Sequence, residues 1–422
     1  MPSSVPTSRS RPRLLVVSER LPRPDESSGS CRFLTILEHL AAAADVDLWI
    51  ELDETTGQMP LPPSRVEADR ARLTSLGIDV LPCTWTAFRR AVARRQYDIV
   101  FFEFYAMAGR YLEVVRDLCP RAAAVVDSVD VHFARLASGV ALGTVPGQWA
   151  NEVREAELAT YRAADLVIAV SADDADLLRG ETGLPPIVCV PNLVRLRPRT
   201  RRTRGPDALF VGHFHHAPNL DGLRWFCADV WPGVRERRPD ATLCVIGSYA
   251  RDEVHALGRT PGVRILGYVP DLTPHLDAAA ASIAPLRFGA GMKGKVTDAM
   301  AAGLPVVTTP VGAQGLDLIP GTHAFVAEDA QAFGDALVQA FSNPQAADAM
   351  GLAGQAHVSR ICGPEAAARA LSAVLTARRG NPAGAPRPHP RWRRAKLALR
   401  HRWVALARRH FARPMLEHGG PA

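Results

Sequence analysis

Short apolar runs alternate along the chain with stretches in which apolar residues recur every three or four positions. Runs rich in Val, Ile, Leu and Phe predict strands buried on both faces, and the periodic stretches predict amphipathic helices. Regular alternation of the two is the pattern of βαβ units in parallel sheets. In the first half the predicted strands are Arg13–Ser18, Val46–Glu51, Ile78–Leu81, Asp98–Glu103, Ala123–Asp127, Leu166–Val170 and Ile187–Val190. The helices between them are predicted over Cys31–Ala44, Ser64–Leu76, Ala87–Gln96, Tyr111–Leu118 and Gln148–Ala164. LVRLRPRTRRTRGPD, residues 193–207, breaks the alternation; it is basic, contains proline and has no apolar period, so it reads as a linker.

The alternation then restarts. Strands are predicted at Ala208–Val211, Thr242–Ile246, Arg264–Gly267, Ala281–Pro285, Pro305–Thr308 and Ala324–Ala327. Helices are predicted over Leu220–Arg237, Asp252–Leu257, Leu272–Ala278, Lys293–Ala302, Ala332–Ser342, Pro344–Ser359 and Pro364–Arg379. The expectation is an α/β protein with two doubly wound domains, residues 1–192 and 208–379, followed by a tail over residues 380–422. Ligands of such sheets bind beyond the C-terminal ends of the strands, so the cleft in which the two domains face each other is the expected site.

Composition narrows the class. At 422 residues, with 47% hydrophobic and 22% charged residues, the chain suits a soluble two-domain protein. No apolar run is long enough to span a bilayer, and the N-terminus MPSSVPTSRSRPR lacks the apolar region of a signal peptide. The seven cysteines are scattered, without CxxC spacing, which favours reduced thiols in a cytoplasm. Charge is unevenly spread: residues 377–422 carry twelve Lys or Arg and one Glu. Removing that +11 from the chain's +7 leaves −4 for the rest. An acidic body without a base-reading motif argues against nucleic acid as a partner.

The candidate chemistry centres on RFGAGMKGKVTDAMAAGLPVVTTPVGAQGL, residues 287–316. Gly289, Gly291 and Gly294 bring Lys293 and Lys295 to the start of a helix. Glycines there let backbone N–H groups approach a ligand, and a helix N-terminus favours negative charge, so the natural guest is a phosphate or diphosphate. In the first domain, Asp127, Asp130 and His132 follow a strand, where polar residues reach a cleft. His213, His215 and His216 cluster on one loop, but H-x-H-H matches no usual metal-ligand spacing. Asn219 reads as the N-cap of the helix that starts at Leu220.

These segments, with LFVGHFHHAPNLDGLRWF (209–226), LGYVPDL (266–272), SERLPRPDESSGSCR (18–32) and VVDSVDVHFAR (125–135), resemble the GT-B glycosyltransferases. The similarity is greatest to the retaining family 4 enzymes of bacterial surface-glycan synthesis, and it spans roughly residues 13–375. The resemblance implies two Rossmann-like domains, a nucleotide-diphosphate sugar as co-substrate, a glycan or lipid-linked acceptor, and no metal cofactor. It implies donor contacts from Gly29, Gly212, His213, Ala290, Gly291, Lys293, Lys295 and Asp298, with Lys293, Asp130 and His132 as the candidate catalytic residues. The chain departs from the family's Glu-x7-Glu signature, with Ala290 at the first position and Asp298 at the second. Two alternatives stay open: a GT-B nucleotide-sugar epimerase and, given the missing Glu at position 290, a non-catalytic partner subunit.

The tail RWRRAKLALRHRWVALARRHFARP, residues 391–414, spaces Trp392, Leu399, Trp403 and Leu406 along one helical face among many Arg and Lys. Such a helix suits an anionic membrane surface, which would make a cytoplasmic protein peripheral on the inner face of the membrane.

Overall fold

The predicted apolar runs become the strands of two parallel sheets. The computed structural model describes residues 11–379 apart from 57–59, 142, 144, 145, 198–204, 215, 249, 251 and 290. The first sheet comprises β1 (Arg13–Ser18), β2 (Asp45–Ile50), β3 (Asp79–Val80), β4 (Ile99–Glu103), β5 (Ala123–Asp127), β6 (Leu166–Ala169) and β7 (Ile187–Cys189). They lie in the order β3-β2-β1-β4-β5-β6-β7. The second comprises β8 (Asp207–Val211), β9 (Thr242–Ile246), β10 (Val263–Gly267), β11 (Ala281–Ala284), β12 (Val306–Thr308) and β13 (Phe325–Val326), in the order β10-β9-β8-β11-β12-β13. Central strands such as Leu14–Val17 and Ile99–Phe102 are buried throughout, because helices cover both faces.

Helix starts follow from local chemistry. Ser27, Thr84 and Ser171 each hold extended backbone and accept a hydrogen bond from an N–H three residues on. The Ser27 cap starts the first helix at Ser28, so Gly29 lies in its first turn. The helix expected from Leu220 starts at Ala217, which removes Asn219 from the N-cap position. It widens into a π-turn over Phe226–Val230 before continuing as Trp231–Arg237, where Pro232 cannot donate to the preceding turn. Helices His132–Ala141 and Ala172–Arg179 are additional to the expected set, and the helix predicted from Tyr111 starts at Tyr105.

Residues up to Arg379 form one compact unit, and the basic tail lies outside the described residues. The helix Pro364–Leu375 returns to the first sheet's core, where Ala367, Leu371 and Val374 are buried beside Leu37 and Leu40. Leu193 and Val194, at the start of the predicted linker, are buried in the cores of the first and second halves respectively. Contacts between the halves join the loops that leave strand C-terminal ends. Tyr268 donates to Asp25 at 2.6 Å, Asn192 to the Met292 carbonyl at 3.1 Å, and the Gly315 N–H to Asp173 at 3.0 Å. The two sheets therefore present their C-terminal ends to each other. Among the described residues, no helix is long and apolar enough to cross a membrane.

Candidate active site

Two helix N-termini, one from each half, abut where these loops meet. The helix Gly294–Ala301 begins against Ser28, the first residue of the helix Ser28–Ala43. A Cβ placed on Gly294 would lie 2.1 Å from the Ser28 Cβ, so only glycine fits. Gly291, with φ 70, is likewise close to the other half: a Cβ there would meet Val170 at 3.2 Å and Asp130 at 3.3 Å. First-turn N–H groups have no partner within their own helix, and the helix dipoles place partial positive charge at this seam.

Both lysines sit beside it. Lys293 is buried, and its Nζ donates to the Gly291 carbonyl and to Gln314 at 3.4 Å. Burial lowers its pKa to about 8, although Asp174 and Asp130 act in the opposite direction. Lys295 donates to the Asn219 side-chain oxygen and lies over the Phe210 ring, 4.7 Å from its centre. Burial, followed by repulsion from Lys293, lowers it to about 7. Both cations are thus held where an anion would restore their charge.

The first half supplies the facing wall. Asp130 is 3.0 Å from the Arg135 Nε and 3.1 Å from the His132 Nδ1. Burial alone would raise the Asp130 carboxyl; Arg135 and His132 outweigh it and hold it well below the usual range. Burial, reinforced by Arg135, lowers His132, and its ring packs against those of Phe104 and Tyr105. Glu157 accepts the backbone N–H groups of His132 and Phe133, which fixes the start of that helix. From the second half, His216 reaches Arg135 at 3.4 Å, and burial followed by Arg135 lowers it to about 3. Asp174 is buried near Lys293; its Oδ2 has no hydrogen-bond partner among the described residues, and burial raises it to about 6.

The structure brings Gly291, Lys293, Lys295, Asp130 and His132 together at this seam, with Gly29 next to Ser28. His213 follows β8, and its carbonyl accepts from Asn219 at 2.8 Å. Asn219 therefore ties this loop to Lys295 and does not cap a helix. At Gly212 a Cβ would meet the Phe210 ring at 2.8 Å, so packing within the second half calls for glycine there. Asp127 does not face the cleft. It is fully buried and takes two hydrogen bonds from Arg32, which also donates to the Val190 carbonyl. Asp298 is half-buried and raised to about 6 by burial, with Arg197 opposing; its charge also acts on Cys31. Ala290 and His215 lie outside the described residues. Sequence reasoning passed over Arg135, Asp173, Asp174 and Gln314. The Asp pair had a usable signal in SADD after the run LVIAV: a serine N-cap with acids in the first turn, at a strand's C-terminal end.

Comparison with known proteins fits this geometry. Residues 205–343 match the family model described as glycosyl transferases group 1. The chain is 28% identical over 145 residues to an uncharacterized 44.6 kDa protein in the cps region of Klebsiella pneumoniae; the match spans 37% of that relative's length. Its fold is similar to that of sucrose-phosphate synthase from Thermosynechococcus elongatus, with TM-score 0.63 and 18% identity, over 86% of this chain and 98% of that one. It is also similar to Anabaena HepE in complex with UDP and glucose, with TM-score 0.63 and 14% identity, over 86% and 99% of the two chains. The chain therefore has the GT-B fold, and residues 205–343 match the glycosyl transferases group 1 family model.

Proposed function

We propose that this chain transfers a sugar, with retention of anomeric configuration, from a nucleoside diphosphate sugar to a glycan or lipid-linked acceptor in cell-surface polysaccharide synthesis. The observation that carries the proposal is the meeting of two helix N-termini at Gly294 and Ser28, flanked by Lys293 and Lys295. That arrangement suits a diphosphate, which gains negative charge as it leaves. The neighbour bound to UDP supports a nucleotide donor, and the relative from a cps region supports a polysaccharide role.

In the proposed reaction the bond from the anomeric carbon to the β-phosphate oxygen breaks, and its electron pair stays on the diphosphate. The acceptor hydroxyl attacks from the same face and passes its proton to a phosphate oxygen. Asp130 is a poor candidate for general base, because a carboxylate held so far below neutral pH takes a proton weakly. Its role here is to orient His132 toward the sugar. No step requires a metal. The basic tail is proposed to rest on an anionic membrane surface and bring the cleft to a lipid-linked acceptor.

A thermal-shift screen of nucleoside diphosphates against their nucleosides tests the donor assignment. Stabilisation by a diphosphate and not by its nucleoside is the expected result; no stabilisation by any nucleotide would remove the assignment. Donor conversion without an acceptor would make the chain an epimerase instead.

A further inference from the structure

The segment from Gln314 to His323 ties three parts of the molecule together. Gln314 accepts from Lys293 at 3.4 Å, and the Gly315 N–H donates to Asp173 of the first half at 3.0 Å. The Leu316 carbonyl accepts from the Nε2 of His357 at 2.7 Å. His357 lies on the helix Pro344–Cys362, which packs on the helix Gly294–Ala301.

The far end of the segment closes on the same helix. The His323 ring stacks on that of His357, with centres 4.2 Å apart and planes 26° apart. The Nδ1 of His323 is 3.1 Å from the Ile319 nitrogen, and Arg360 approaches the Nδ1 of His357 at 3.3 Å. A carbonyl can only accept, and a guanidinium or a backbone N–H can only donate. His357 therefore carries its proton on Nε2 and accepts at Nδ1, and His323 accepts at Nδ1. Both rings are neutral in this arrangement. A proton added to either would sit on Nδ1, facing the N–H which that atom now receives. Two stacked imidazolium rings beside Arg360 would repel each other as well. Asp317 favours protonation of His323, but burial, then His357 and Arg360, outweigh it and lower the pKa. The helix Gly294–Ala301 contributes the apolar Met300, which lies with the His323 carbonyl against Gly354.

We propose that His323 and His357 form a pH-operated latch. Neutral, they hold residues 314–323 against the helix Pro344–Cys362 and keep the seam closed beside Lys293. Protonated, they release that segment and its contacts with Asp173 and Lys293, and with them the grip on the donor diphosphate. The last consequence rests on the transferase reading; the release itself does not. The sign follows from linkage. The unfolded histidine takes its proton near pH 6.5, above the folded one, so stabilisation by the latch is complete above that pH and fades as pH falls below it.

Hydrogen–deuterium exchange of the full chain, read by mass spectrometry from pH 7.0 to 5.0 and corrected for the intrinsic rate, tests the latch. In wild type the peptide spanning residues 314–324 should exchange roughly threefold faster, or more, at pH 5.5 than at pH 7.0. His323→Asn keeps an acceptor for the Ile319 N–H, and His357→Gln keeps a donor for the Leu316 carbonyl, so each should fold and show a smaller acid-induced increase. No increase in wild type, a wild-type midpoint above pH 6.5, or an equal increase in both variants overturns the latch. UDP affinity is the second readout, and between pH 7.0 and 5.5 it should fall roughly threefold further in wild type than in His323→Asn. Asp174 and Asp298, each raised to about 6, are common to both proteins and cancel in that comparison. Equal falls overturn the link to the donor site, and no UDP binding at any pH removes the donor reading while the exchange result still decides the latch.

Discussion

Replacing Lys293 with methionine should weaken diphosphate binding and at the same time stabilise the free protein. The side chain is 9% exposed, and burial lowers its pKa from 10.5 to about 8. That fall corresponds to on the order of 3 kcal/mol against the ammonium form in the folded protein. The sign follows from linkage. The unfolded lysine binds its proton more tightly, so the penalty is complete below about pH 8 and is relieved as pH rises toward 10.5. Ligand-free Lys293→Met should therefore melt higher than wild type at pH 7, and the two should converge as pH rises through that window. Binding should move the other way. A charge-assisted hydrogen bond to phosphate is worth about 1.5–3 kcal/mol, so UDP affinity should fall by roughly 10- to 150-fold while uridine affinity is unchanged. Titration calorimetry at pH 7 measures both ligands, and in wild type at pH 8 UDP binding should take up protons. Equal UDP affinity in mutant and wild type, or equal losses for UDP and uridine, would refute the reasoning.

Gly294→Ala should lower the urea midpoint and weaken UDP binding, because its Cβ would lie 2.1 Å from the Ser28 Cβ; overpacking of this kind costs about 1–3 kcal/mol. Adding Ser28→Gly should recover both properties, and a double mutant as impaired as Gly294→Ala would show that the seam is not the cause. Asp298→Ala is expected to erase the preference for ribose over 2′-deoxyribose donors; the same rate ratio in mutant and wild type would leave Asp298 only a neighbour of Arg197. A chain ending at Arg379 should stop sedimenting with anionic lipid vesicles and keep its UDP affinity, while unchanged sedimentation would overturn the proposed membrane contact.

The strands were legible because a parallel sheet buried on both faces writes itself as apolar runs, as in LLVV of β1 and AAVV of β5. The glycine-spaced lysines were legible because a helix start, close approach and positive charge all coincide in one short segment. What stayed hidden depended on partners distant in sequence. Asp127 reads as a cleft residue beside Asp130 until Arg32, 95 residues away, takes both of its oxygens. The positive φ of Phe104 and Val129 has no local signature, since neither residue type predicts it. Gly212 and Gly294 show the same limit in reverse. Their glycine identity was evident, but the atoms that demand it, the Phe210 ring and the Ser28 side chain, come from packing.

The central claim is transfer from a nucleoside diphosphate sugar with retention at the anomeric carbon. Its most direct test is proton NMR of the reaction product formed by the purified chain from a panel of α-linked nucleoside diphosphate sugars and a lipid-linked acceptor extract. Release of the nucleoside diphosphate is expected together with a new glycosidic linkage whose anomeric coupling is that of an α-sugar. A β-linked product, or no new glycoside from any donor in the panel, would contradict it.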